Sequence, residues 1–300
     1  MGSPTAPALL ICHGWPGSIF EFHKVLGPLA ENFHVVAPSI PGYGFSEAPH
    51  KRGFNAPEAA RLFHALMLEL GYQEYVAQGG DWGSVITQCI GKLFPKQCKA
   101  IHINMPTAPR PKDFDMSKLN PAEVEGLRRT MAFNTYGTGY QKIQGTKPQT
   151  LSYGLNDSPI GLLAWMTEKF RDWSDCNGTL ENAFTQDEIL TNAMIYWVSQ
   201  SIGSSMRFYY ENIAVMPGTS KEMIELAAVK VSVPTAVAMF PKEIFFCPRA
   251  WCEQAYNLQQ YTRFEAGGHF AALEKPEELV KDIKDFFLRR LDLDKNQSRL

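Results

Sequence analysis

Residues 75–94 read YVAQGGDWGSVITQCIGKLF, and the reading of this stretch decides the fold. A short apolar run meets two glycines, an acid, a tryptophan and a third glycine, then continues as an amphipathic helix. A strand is thus expected to pass into a helix through a corner tight enough to demand small neighbours. In Gly79-Gly80-Asp81-Trp82-Gly83 the glycines stand two before and two after Asp81, the spacing of the strained strand-to-helix turn known as a nucleophile elbow. Serine ordinarily occupies that corner. A carboxylate there has to be explained by a different chemistry.

Working outward, residues 8–12 read as a buried strand, 20–29 as a helix and 34–37 as a second strand closed by proline and glycine turns. A long helix over 56–70 precedes the strand 75–78, and a strand over 100–104 follows the helix after the corner. Repeated alternation of this kind predicts a parallel sheet. From Pro106 to Ala228 the alternation stops, and helix formers, aromatics and short polar breaks take over. It resumes with a strand over 235–239 after Pro234, a helix over 248–256, a strand over 260–264 and a closing helix over 276–291. The expected architecture is an α/β sheet core of residues 1–105 and 229–300, with a helical insertion of residues 106–228 after its fourth visible strand. Such an insertion can roof the carboxyl ends of the strands, where open α/β sheets bind ligands.

Composition narrows the partners. With 45% apolar and 20% charged residues the chain has the balance of an ordinary globular protein, and 300 residues suffice for a substantial core. A net charge of −2 without a long basic run gives no electrostatic reason to expect nucleic acid or an anionic membrane surface. The six cysteines are scattered, and the closest pair, Cys247 and Cys252, lacks the spacing of a zinc or redox site; they read as reduced thiols of a cytoplasmic protein. No apolar run is long enough to span a bilayer, and no secretory leader is legible. The sequons at Asn177 and Asn296 therefore carry little weight. Neither a metal-ligand cluster nor a phosphate-binding loop is evident, so no cofactor and no metal are expected.

Three polar residues fall just after strands: Asp81, Glu243 and His269. His269 follows two glycines, where flexible backbone can aim an imidazole over the sheet edge. Glu243 follows the preceding strand, where it can accept the imidazole's Nδ1 proton and fix the tautomer. Ordinary alternatives exist for each. An acid after glycines is often only a helix cap, and Glu265 and Glu274 lie nearer to His269 in sequence. Among the other histidines, His13 precedes a tight turn and reads as structural.

Five motifs in order resemble one family: HGWPGS at residues 13–18, PGYGFS at 41–46, GGDWGS at 79–84, FPKEI at 240–244 and GGHFAALEKPEEL at 267–279. Together they are similar to epoxide hydrolases of the microsomal-like branch within the α/β-hydrolase superfamily, and the resemblance spans nearly the whole chain. It implies an α/β-hydrolase core under a helical cap, an apolar epoxide as substrate and a role in detoxification. It further implies Asp81 as nucleophile, His269 as base and Glu243 as its partner. A carboxylate suits the corner because it is already anionic near neutrality and can strike a strained ring carbon directly. The backbone N–H groups of Trp15 and Trp82 fall where the oxyanion of ester hydrolysis would need donors, and Trp15-Pro16 is a candidate cis bond. The family's two tyrosines that hydrogen-bond the epoxide oxygen map to Tyr140 and Tyr209, with Tyr136 and Tyr210 as neighbouring rivals.

Two other readings compete. Haloalkane dehalogenation also uses an elbow aspartate and a histidine base, but its halide leaves without a proton and wants N–H donors. A silent α/β-hydrolase could use the capped pocket only to bind. Trp165, Met166, Trp197 and Met206 suggest an apolar pocket, although apolar residues on helices are more often core. Finally, relatives carry two strands ahead of the HGWPG strand, whereas only seven residues precede Ala8 here. The strand over 34–37 is therefore expected at a sheet edge, with self-association into a homodimer or lowered stability as the consequence.

Overall fold

The computed structural model describes residues 5–213 and 221–297. Six strands, β1 (Ala8–Cys12), β2 (His34–Val36), β3 (Tyr75–Gly79), β4 (Cys98–Ile103), β5 (Val231–Met239) and β6 (Tyr256–Arg263), form one parallel sheet in the order β2-β1-β3-β4-β5-β6. Every residue of β1 and β3 is buried, because helices cover both faces, and that is why these strands are continuous apolar runs rather than alternating ones. One apolar layer packs the Ala56–Glu69 helix and the helix after the corner, Asp81–Leu93, against the sheet. The other packs Phe22, Leu29 and Phe33 with Ile283, Phe286 and Phe287 of the closing helix, Pro276–Gln297.

The order places the site. From β1 the chain steps outward to β2, then returns past β1 to β3, so the carboxyl ends of β1 and β3 lie side by side where the direction of winding reverses. In open α/β sheets the crevice outside such a switch point is where ligands bind. Between β4 and β5 the described residues hold helices and no strand, including Pro121–Ala132, Gly139–Thr146, Pro148–Asp157, Pro159–Trp173, Gln186–Ser199 and Ile202–Asn212. The six cysteines are free and buried, and burial pushes the Cys12, Cys89 and Cys98 thiols up to about 12.

Several expected boundaries move. The helix expected over 20–29 is a 3-10 turn, Ile19–Phe22, followed by a short helix, Leu26–Ala30. Pro28 has no N–H to give the carbonyl four residues back, so one continuous helix would lose a bond there. β5 begins at Val231, ahead of Pro234, because the register with β6 shifts between Val231 and Pro234 and relieves the ladder of the missing donor. β6 likewise starts at Tyr256, directly after the Arg249–Ala255 helix. β2 lies at the edge of the sheet among the described residues, as expected.

One buried polar knot ties β4 and β6 to the closing helix. His102 Nε2 lies 2.9 Å from Asp282 Oδ2, while Asp282 Oδ1 accepts from Thr262 Oγ1 at 2.6 Å and Gln260 Nε2 at 2.9 Å. Burial works against the Asp282 charge, but the hydrogen bond and charge of His102, with the Thr262 and Gln260 bonds, hold its carboxyl below the usual range. Asp282→Ala strands these donors and is expected to cost about 3 kcal/mol in urea unfolding at neutral pH. A depressed carboxyl contributes stability above its unfolded pKa and loses it as pH falls through the folded one. The difference between variant and parent should therefore shrink in acid.

Candidate active site

The corner is as tight as its sequence requires. Asp81 has φ 49°, a left-handed conformation unusual for any residue but glycine. A Cβ on Gly79 would stand 2.2 Å from the Gly83 carbonyl oxygen, and one on Gly83 would stand 2.0 Å from that of Cys12. Both positions thus exclude side chains so that β3 can turn into its helix close against β1. The result lifts Asp81 out of the sheet, with Trp82 next in the helix's first turn, where N–H groups lack helical acceptors.

Asp81 is held at both oxygens. The backbone N–H of Trp15, from the loop after β1, donates to Oδ1 at 2.9 Å; Trp15-Pro16 is cis. His269 Nε2 lies 3.2 Å from Oδ2. His269 stands on the loop after β6, and its own N–H donates to the Trp173 carbonyl at 2.9 Å, which ties that loop to the helical segment. Its Nδ1 lies 2.6 Å from Glu243 Oε1, on the loop after β5, and both side chains are buried. Burial disfavours the imidazolium, yet the Glu243 charge, the Asp81 hydrogen bond, the Glu243 hydrogen bond and the Asp81 charge together raise the His269 pKa well above its ordinary value. Both carboxyls thus favour the protonated ring over the neutral one.

Aromatic rings enclose this polar row. Trp15 stacks on Tyr140 with centroids 5.3 Å apart and meets Tyr209 edge-on at 5.7 Å; Trp82 meets Tyr209 edge-on at 5.0 Å. Tyr140 and Tyr209 are both buried, and burial first, with the nearby Asp81 anion, pushes both phenols above their ordinary range. Both therefore keep their protons. The rivals stand outside the enclosure: Tyr136 is 87% exposed in a groove that also reaches Tyr140, and Tyr210 lines a separate surface groove with Arg207 and Lys147.

The remaining sequence candidates separate on geometry. Glu265 is exposed, and Glu274 is spent accepting the N–H groups of Asp175 and Phe270. His13 is structural: its Nε2 accepts from Ile40 N–H at 3.0 Å, its Nδ1 lies 3.0 Å from the Gly14 carbonyl, and burial pulls its pKa down to about 4. Met166 and Met206 are fully packed, and Trp165 Nε1 donates to Gln144. Trp173 was not singled out in the sequence. Its ring meets His269 edge-on at 5.2 Å and touches Tyr140, but nothing in the sequence distinguishes it from Trp165 on the same helix.

No helix among the described residues is long and apolar enough to cross a membrane. Residues 7–211 match the alpha/beta hydrolase fold family. The chain is 40% identical over 312 residues to epoxide hydrolase 1 of Sus scrofa, covering 94% of this chain and 68% of the relative. To the juvenile hormone epoxide hydrolase of Bombyx mori it is 37% identical over 301 residues, covering 92% and 64%. The chain thus spans about two thirds of the length of these curated relatives. Among solved structures, the epoxide hydrolase of Aspergillus niger aligns with TM-score 0.83 at 35% identity, over 95% of this chain and 72% of that one. The juvenile hormone epoxide hydrolase of Bombyx mori aligns with TM-score 0.86 at 34% identity, over 97% and 75%. The chain belongs to the α/β-hydrolase fold family, in its epoxide hydrolase branch.

Proposed function

We propose that the protein opens apolar epoxides to vicinal diols through an ester on Asp81. The observation that carries this reading is the placing of Asp81 at the elbow, within reach of an imidazole that Glu243 orients and beside two buried phenols. Asp81 Oδ2 attacks a ring carbon, the carbon–oxygen bond of the epoxide breaks, and the alkoxide takes a proton from the hydroxyl of Tyr140 or Tyr209, which solvent restores; His269 gives up its own extra ring proton to solvent before the second step. Oδ1, already held by the Trp15 N–H, becomes the ester carbonyl oxygen. Water then attacks that carbonyl, giving its proton to the deprotonated His269. The Trp15 and Trp82 N–H groups stabilise the oxyanion, and collapse releases the diol and restores Asp81.

In this reading residues 106–228 act as a cap over a core of residues 1–105 and 229–300. A groove of about 500 Å³ reaches Tyr140 from outside, with Phe133, Ile143, Trp165 and Trp173 on its walls beside the charged Glu168, Lys169 and Asp172, and offers a route inward. One turnover in ¹⁸O-water tests the chemistry. The label is expected in the Asp81 carboxylate and absent from the first diol, whereas direct hydration would label the diol and refute the ester. A second reading, hydrolysis of haloalkanes, draws on the buried indole N–H groups of Trp15 and Trp82, which have no partner. It fails if halide is not released from any haloalkane while diols form.

A further inference from the structure

Behind the catalytic row, on the sheet side, lies a cavity of about 20 Å³ lined by Gly14, Glu21, Gln78, Asp81, Asn104 and His269, among others. That is room for one water molecule. Its walls are unusually polar for a site so deep. Gln78 is 1% exposed and donates its Nε2 to Asn104 Oδ1 at 2.9 Å, but its Oε1 has no partner. A water needs two to four polar partners, and Gln78, Glu21 and His269 supply them.

Glu21 comes from the 3-10 turn Ile19–Phe22 and has no part in the steps above. Two glycines make its place. A Cβ on Gly17 would stand 2.0 Å from Glu21 Oε2, and one on Gly14 would stand 2.3 Å from Asp81 Oδ1. The Gly14 backbone favours the charged form of the Glu21 carboxyl, and Asp81 lies against the same glycine, so the two acids flank it. We propose that Glu21 and Gln78 hold, in this cavity, the water that hydrolyses the Asp81 ester, on the face of His269 away from the aromatic enclosure. This rests on the ester reading and adds where its water sits. The water oxygen bonds to the ester carbonyl carbon, one water proton passes to His269 Nε2, and the other stays hydrogen-bonded to Glu21. Collapse of the adduct breaks the bond to the alkyl oxygen, which leaves with the proton from His269 as diol.

The resting electrostatics agree. Burial above all raises the Glu21 carboxyl to about 8, with the Asp81 anion adding to it and His269 opposing. Alkylation removes the Asp81 charge, so the acid that repels a second anion is gone at the step where Glu21 is needed as an acceptor.

The test is quenched single turnover of styrene oxide followed by intact-mass spectrometry. Glu21→Gln is expected to alkylate within about threefold of the parent and to hydrolyse the ester at least about tenfold more slowly, so that ester accumulates. Ala272→Val, which keeps every charge but fills part of the cavity wall, should show the same split. Should Glu21→Gln not fold, Ala272→Val decides alone. Parental ester hydrolysis in the variants, or equal slowing of both steps as a structural role would give, overturns the proposal. A parent that makes diol without any ester overturns it together with the functional reading, and that outcome is visible before any variant is compared.

Discussion

Replacing His269 by Gln is expected to turn the protein into a trap for its substrate. The amide keeps roughly the size of the imidazole and leaves Asp81 free to attack, but it cannot take a proton from water. Alkylation should therefore proceed, while ester hydrolysis falls by about 10²–10⁴-fold, the usual worth of a positioned general base. Intact-mass spectrometry after incubation with an epoxide that the parent converts should show protein plus one substrate mass, located in the peptide carrying Asp81. An adduct on another residue, or none, would remove Asp81 from the mechanism. In the parent, the same histidine sets a pH dependence. Its pKa is raised well above normal by Glu243 and Asp81 against the opposition of burial, so it must lose a proton before it can act as base. Esterification cancels the Asp81 contribution, which eases that loss. Ester decay should accordingly rise with pH and level off once His269 is neutral. Stability runs the other way. A histidine with a raised folded pKa contributes fully below its unfolded value and loses the contribution as pH rises through the folded one.

The double substitution Tyr140→Phe with Tyr209→Phe should collapse the first step instead. Removing both hydroxyls leaves the rings, and hence the stacking on Trp15 and the edge contact with Trp82, largely in place. It also leaves the alkoxide without its hydrogen-bond donors in an enclosure from which aromatic rings exclude water. Rapid-quench alkylation is expected to slow by about 10²–10⁴-fold, with each single variant less affected because the other phenol still donates. Haloalkane conversion would be untouched, since a halide leaves without a proton. A double variant that alkylates as fast as the parent would move the donor elsewhere. A protein that binds an epoxide tightly but never turns it over would fit a receptor rather than an enzyme.

Much of this arrangement was legible in the residues, for local reasons. The elbow is a short-range device: an acid between glycines at minus two and plus two can be recognised because the contacts that forbid a side chain at Gly79 and Gly83 arise from the turn itself and the adjacent strand. The parallel sheet followed from alternating strands and helices, and the helical segment from the break in that alternation. Boundaries were read less well where they depended on partners. Pro234 looked like a strand start, yet β5 runs through it because β6 shifts register beside it.

By itself, then, the sequence determined the fold class, the corner that raises Asp81 and the order in which Asp81, Glu243 and His269 follow their strands, because each is written in periodicity and turn chemistry over a few residues. Only the tertiary structure decided among equals. Glu243 rather than Glu265 or Glu274 meets His269 because β5 and β6 are neighbours in the sheet, and their following loops meet above it. Tyr140 and Tyr209, instead of Tyr136 and Tyr210, face the acid because of how two separate helices rotate onto Trp15. Trp173, whose ring meets His269, and Glu21, which lines one cavity with it, are unremarkable in the linear chain and stand 96 and 248 residues from that histidine, and no local pattern encodes such distances. Side-chain chemistry is carried residue by residue, but which groups share one low-dielectric enclosure is a property of the packed chain.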